Sequence, residues 1–222
     1  MQAIKIKPVA NHNGQFLILT GVALLVTTIA LSHHFWETIR LPLIFLLLAS
    51  CVIIFIGAMK KMEPRFSYLM TPEFLEYTHK YGTWRIDWQN IQRVGDIRLA
   101  IGIDQKTLPY IGIKLKDHDA MVTAMSKRLA SRLPHEQRPL TTAAVQQSLL
   151  SFEQAQINFE PYITSGNTTI KGPNAFYMHH ASALAMAYGY HLFLPYSSLD
   201  RSAEEFISLL RECQTHSASY LK

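Results

Sequence analysis

The chain has 222 residues, of which 49% are hydrophobic and only 17% charged, with a formal net charge of +5. That charge fraction falls below the quarter or so usual for soluble domains. The mild positive balance, with no long run of Lys or Arg, argues against a dedicated nucleic-acid binder, which would carry a denser basic stripe. Two cysteines, Cys51 and Cys213, lack any CxxC or Cys/His spacing, so neither a zinc site nor a disulfide framework is indicated, and a reducing compartment suits both thiols.

The charge deficit is local. No Lys, Arg, Asp or Glu occurs in residues 8–36 or 41–59. The first stretch contains FLILTGVALLVTTIALS (16–32), extended by His33, His34, Phe35 and Trp36; the second reads LPLIFLLLASCVIIFIGAM. A helix rising about 1.5 Å per residue needs about 20 apolar residues to cross a hydrocarbon core of about 30 Å, and both stretches qualify. A spanning backbone must satisfy its own hydrogen bonds, so helices are the expected form. Lys5 and Lys7 precede the pair, Lys60, Lys61 and Arg65 follow it, and the short loop holds Arg40 beside Glu37. The positive-inside bias therefore predicts a hairpin with both ends cytoplasmic. A cleaved signal peptide ending at Ala30-Leu31-Ser32 is the alternative, but its apolar core is long and a second span follows at once. A buried helix pair of a soluble protein would need a polar face, which 41–59 lacks.

The organisation expected is a cytoplasmic N-terminal segment (1–15), a two-span hairpin (16–59), a basic linker (60–65), a cytoplasmic domain (66–216) and a tail (217–222). From residue 66 the apolar pattern takes period two. Residues 66–70 read as a strand, Thr71-Pro72-Glu73 as a turn, 74–81 as the return strand, and 83–88 as a third strand after Gly82. Alternation puts Trp84, Ile86 and Trp88 on one face and Arg85 and Asp87 on the other. A core face with wet charges is the simplest account, in preference to an aromatic stacking platform. Apolar positions continue through Ile91, Val94, Ile97, Leu99 and Ile101. Gly102 with 104–107 reads as a turn, and 108–116 as another strand.

Helices follow. Asp117 is positioned to cap a helix over 118–133, with Met121, Met125 and Leu129 on one face and Pro134 as its stop. Thr141 or Thr142 opens a second, striped by Val145, Leu149 and Phe152. Ser165-Gly166-Asn167 is a turn. Pro173 near the start and Gly189 after the end frame a third helix. A strand over 190–194 leads to a last helix, capped by Ser202 with Glu205 at the capping-box position, whose inner face is Phe206, Leu209, Leu210 and Cys213.

Trp88-Gln89-Asn90-Ile91, the stretch IGIKLKDHDAMVTAMSKRL, and the strand YHLFLP running into AEEFISLLREC together resemble bacterial pleckstrin-homology-like (PH-like) domains. The resemblance covers roughly residues 66–215, with 118–189 as a helical insertion. The whole layout is similar to an uncharacterised family of bacterial inner-membrane proteins with two spans before a PH-like domain. It implies an α+β fold: a transmembrane hairpin, then a PH-like antiparallel barrel or sheet with a C-terminal amphipathic helix. It carries over no catalytic residue, cofactor or metal.

Among candidate residues, His179 and His180 are adjacent on a helix, about 100° apart, and no HExxH accompanies them, so satisfied histidines are expected rather than ligands. His33 and His34 cap the outer end of the hairpin. Cys213 faces a core, and Cys51, within the second span, faces lipid or packs against the other helix. Asn167-Thr168-Thr169 matches the glycosylation sequon but would sit in the cytosol. Lys60, Lys61 and Arg65 suit anionic headgroups, each gaining about 1 kcal/mol beside the bilayer. The expectation is a non-enzymatic binding or scaffold module that engages the bilayer and a protein partner or anionic lipids, through the strand 66–70 or the loop before Pro173. Two alternatives stand beside it. One is a membrane-associated enzyme using His179, His180 or His191 as acid or base. The other is a small subunit of a membrane complex, with Gly21 and Gly57 allowing close helix approach.

Overall fold

The structure, a computed structural model, describes residues 3–8, 14–61, 64, 66–101 and 104–220. It divides into two units: Pro8–Arg65, and Met1–Lys7 together with Phe66–Lys222.

The first unit is a pair of 22-residue helices, α1 (Gly14–Phe35) and α2 (Arg40–Lys61). Each is about 33 Å long at 1.5 Å per residue, enough to cross a membrane. His33 and His34 fall in the last turn of α1 rather than in the loop. The buried positions are Gly14, Gly21 and Thr28 on one helix and Leu43, Ser50 and Gly57 on the other, each set spaced by seven. A Cβ added at Gly21 would stand 2.6 Å from Ile54 Cγ1, and one at Gly57 2.9 Å from the Ile18 backbone nitrogen. Both glycines thus serve the contact between α1 and α2 within one chain. Thr28 and Ser50 donate their hydroxyls to the carbonyls of Leu24 and Leu47, so the seam leaves neither hydroxyl unpaired. Large side chains such as Phe16, Leu41 and Phe45 point outward. A soluble core pair would bury them.

The second unit begins before the hairpin. Strand β1 (Ile4–Ile6) pairs antiparallel with β2 (Tyr68–Met70), placing Ile4 opposite Met70 and Ile6 opposite Tyr68. Strands β3 (Phe74–His79) and β4 (Gly82–Asp87) complete a four-stranded sheet in the order β1-β2-β3-β4. A short sequence with only three alternating positions gave no sign of β1. The pairing leaves β2 with no free edge, and Tyr68 and Met70 are fully buried, so 66–70 is not the exposed strand expected.

Trp84 and Trp88 are 2% and 1% exposed, and Ile86 is buried between them, while Arg85 and Asp87 face water. Trp88 belongs to a 3-10 turn (Trp88–Asn90), and its indole N–H donates to the Thr71 carbonyl at 2.7 Å. A second sheet holds β5 (Ile91–Ile101), β6 (Asp104–Leu115) and, near the C-terminus, β9 (Leu192–Pro195), in the order β5-β6-β9. Residues 104–107, expected in a turn, extend β6, because the β5–β6 ladder runs on to Ile101 opposite Asp104. Gly102 lies outside the described residues. Among the described residues the sheets do not close into a barrel, which corrects that part of the expectation.

The helix expected over 118–133 is two: α3 (Met121–Ala124) and α4 (Lys127–Glu136). Between them Met125 is extended and bridges Trp84, and Ser126 donates its N–H to the Thr83 carbonyl at 3.0 Å. The sheet edge offers partners that helical periodicity cannot reveal. Pro134 lies inside α4, which ends two residues later. Helix α5 (Arg138–Gln146) stops short of the expected stripe, since Ser148 adopts φ 55°. Leu149 and Phe152 are consequently exposed. Strands β7 (Tyr162–Ile163) and β8 (Thr169–Ile170) flank the expected turn at 165–167, followed by α6 (Pro173–Tyr188). Gly189, at φ 76° in the left-handed region, ends α6.

The last helix, α7 (Ala203–Tyr220), takes its start from Ser202, whose Oγ accepts the Glu205 N–H at 3.3 Å. It buries Phe206, Leu210 and Cys213 and donates from Gln214 Nε2 to the Ile91 carbonyl at 2.6 Å. Burial raises the Cys213 thiol to about 11, so it is inert. One core joins residues from both sheets, α3, α4, α6 and α7.

Candidate functional site

A concave region lies beside α6. Gly172, at φ 75°, turns the chain into Pro173, and α6 then presents His179, Ser182, Ala183 and Met186 along one side, at i, i+3, i+4 and i+7. Facing them are Arg138, Thr142 and Val145 of α5 and the loop 152–158. Together they line a half-open cavity of about 720 Å³, the size of a small-ligand site. Phe176 forms part of its wall, with the tilted rings of Phe159 at 5.1 Å and His135 at 5.9 Å.

Among the described residues outside α1, α2 and their connecting loop, the exposed large hydrophobic residues are Leu149, Phe152, Ile157, Phe159, Ile163 and Met186. Five fall in the single segment 149–163, and the sixth lies across the cavity. Phe152 and Phe159 are each 73% exposed. Singly exposed apolar residues are ordinary, whereas a group of them in one segment is a feature shared by interaction surfaces.

His135, His179 and His180 line this cavity, and His118 and His191 form a pair beside it. His179 Nε2 meets the Glu160 carbonyl at 3.2 Å, and His180 Nε2 meets Gln137 Oε1 at 3.1 Å, so the adjacent rings serve different partners. Burial, with His135 nearby, lowers His180 to about 4, keeping it neutral at pH 7. His191 accepts the Leu115 N–H at Nδ1 (3.0 Å) and stacks on His118 at 5.0 Å. Burial, then His118 and Lys114, lower it to about 4.

His118 connects to the cavity wall in a suggestive way. Its Nε2 lies 3.5 Å from Ser182 Oγ and its Nδ1 3.7 Å from Asp119 Oδ1. The residue types are those of a nucleophile, base and orienting acid. The geometry is not. Both separations exceed good hydrogen-bond length. Ser182 sits in the interior of α6, where backbone N–H groups are committed to the helix and cannot stabilise an oxyanion. The Asp119 carboxylate is instead held by Ser165, whose N–H and O–H donate to it at 2.6 and 2.5 Å. Burial works against that charge, but the Ser165 bonds outweigh it and keep the carboxyl below its ordinary value. This network pins the β7–β8 turn to the start of α3. Among the described residues no group of three or more His, Cys, Asp or Glu could hold a metal ion.

Lys60 and Lys61 occupy the last turn of α2, in the other unit. Arg65 lies outside the described residues. Sequence reasoning placed His179 and His180 correctly on α6 but missed Arg138 and assigned Phe152 to a buried stripe. The available signal was SFEQAQINFEP (151–161), where isolated aromatics recur without helical or strand period.

No curated protein and no solved structure matches the chain. A family of proteins of unknown function, DUF2982, matches residues 68–216, from β2 to within α7, and leaves both long apolar helices outside the match. With the match covering more than half its length, the chain belongs to the DUF2982 family.

Proposed function

We propose that this protein is a membrane-anchored, non-catalytic binding module that takes a small ligand with an apolar body into the cavity beside α6. The observation that carries this reading is the concentration of exposed large apolar side chains in 149–163 and at Met186, three of which, Phe152, Ile157 and Met186, line a cavity of about 720 Å³. The interior position of Ser182 and the long spacings around His118 favour binding over catalysis.

The anchor is the α1–α2 hairpin. Pairing of β1, before the hairpin, with β2, after it, supports a topology in which both ends leave the same side of the membrane. Lys5, Lys7, Lys60 and Lys61 favour the cytoplasmic side, of an inner membrane in this proposal. Lys60 and Lys61, in the last turn of α2, then lie where anionic headgroups gather. Two antiparallel sheets with α7 packed on the start of β5 support a PH-like ancestry, opened by the insertion that builds the cavity.

Native mass spectrometry of the full chain, extracted in mild detergent, tests the reading. The wild-type protein carries an added small-molecule mass, and Ala183→Trp, which fills the cavity, loses it while keeping the helical circular dichroism of the parent. A wild-type chain with no adduct, or an adduct retained by the filled variant, sinks the proposal.

A further inference from the structure

Resting on the cavity as the binding site, we infer that its ligand is a single-chain amphiphile with an anionic head, such as a long-chain carboxylate, and that Arg138 reads the head. The lining is divided in kind. Val145, Phe152, Ile157, Phe176, Ala183 and Met186 offer an apolar bed. Arg138 is the permanent cation of the lining, and its guanidinium has no carboxylate partner among the described ion pairs. The lining carboxylate, Glu153, is also outside those pairs, and its negative charge disfavours a head with more than one anionic group. His180 is held neutral by burial and its Gln137 contact, so it adds no competing charge.

A guanidinium recognises a carboxylate by two parallel N–H donations, which an uncharged head cannot reproduce. The apolar bed recognises length and flexibility rather than a fixed shape, since Met186, Ile157 and Val145 present aliphatic surface. The exposed Phe159, 5.1 Å from the lining ring of Phe176, adds apolar surface next to the bed, as a chain longer than the cavity requires. A protein with two helices able to cross a membrane meets such amphiphiles at high local concentration.

The test uses the full chain in lipid nanodiscs with two photoactivatable probes, a diazirine-bearing hexadecanoic acid and the alcohol of the same chain. Adducts are mapped by peptide mass spectrometry. The acid labels peptides within 134–186 at least several-fold more than the alcohol does. Arg138→Gln, a change at an exposed position, lowers acid labelling there by about tenfold relative to alcohol labelling. Acid and alcohol labelling the cavity equally, or Arg138→Gln affecting both alike, overturns the head recognition and leaves the cavity reading intact. Adducts confined to 14–61 overturn the acyl-chain assignment. If the native adduct sensitive to Ala183→Trp persists alongside that result, the binding module stands with a different ligand.

Discussion

Replacing Gly57 with alanine tests the seam on which the hairpin depends. The new methyl would stand 2.7 Å from Ile18 Cγ1, 2.9 Å from the Ile18 nitrogen and 3.1 Å from the Gly14 carbonyl oxygen. The side-chain clash is open to relief by rotation, but the two backbone atoms cannot rotate away. Ordinary contact begins near 3.4 Å, so α1 and α2 must separate by about half an ångström. A gap of that size forfeits about a quarter of the dispersion attraction along the seam. In lipid no hydrophobic gain offsets the loss, because acyl chains are as apolar as the helices. The expected destabilisation is about 1–3 kcal/mol, the usual range for overpacking. Cys51→Ala, at an exposed position on the same helix, should stay within about 0.5 kcal/mol. Unfolding of the full chain in mixed SDS micelles, followed by energy transfer between dyes at the two ends of one helix and its partner, measures both. Equal stability of Gly57→Ala and wild type would refute the close-packed seam, as would an equal cost for Cys51→Ala.

Two further outcomes follow from the same structure. His191 has a folded pKa of about 4 against an ordinary 6.5, so between those values the unfolded chain binds the extra proton. Stability is therefore full above about pH 6.5 and falls as pH drops towards 4, where protonating Nδ1 also breaks the Leu115 bond. His191→Gln keeps an acceptor and removes the titration, and should flatten the pH dependence of the thermal midpoint; His180, shifted the same way, retains part of it. Ile6→Ala should destabilise the domain by about 2–5 kcal/mol although it precedes the hairpin, because Ile6 is fully buried against β2. Thermal unfolding that leaves the domain unchanged would show that β1 is dispensable.

The sequence by itself determined whatever is set by local composition and period. Two charge-free stretches of spanning length make two helices whatever surrounds them, because backbone bonding in a low-dielectric setting leaves little else. Trp84, Ile86 and Trp88 alternate with Arg85 and Asp87, which sufficed to assign the buried face. Gly172-Pro173 and Gly189 bracket α6 for steric reasons internal to those residues. Tertiary structure decided the rest. Three residues cannot announce that Ile4–Ile6 will reach across the hairpin to β2. The break at Met125 comes from a bond offered by Thr83, some forty positions earlier in the chain. The cavity, too, exists only because α5 ends at Gln146, the chain turns at Ser148, and Phe152 is left outside the core, in the cavity lining with α6. Periodicity reports what a segment would bury on average; which neighbour arrives to be buried against is a long-range fact.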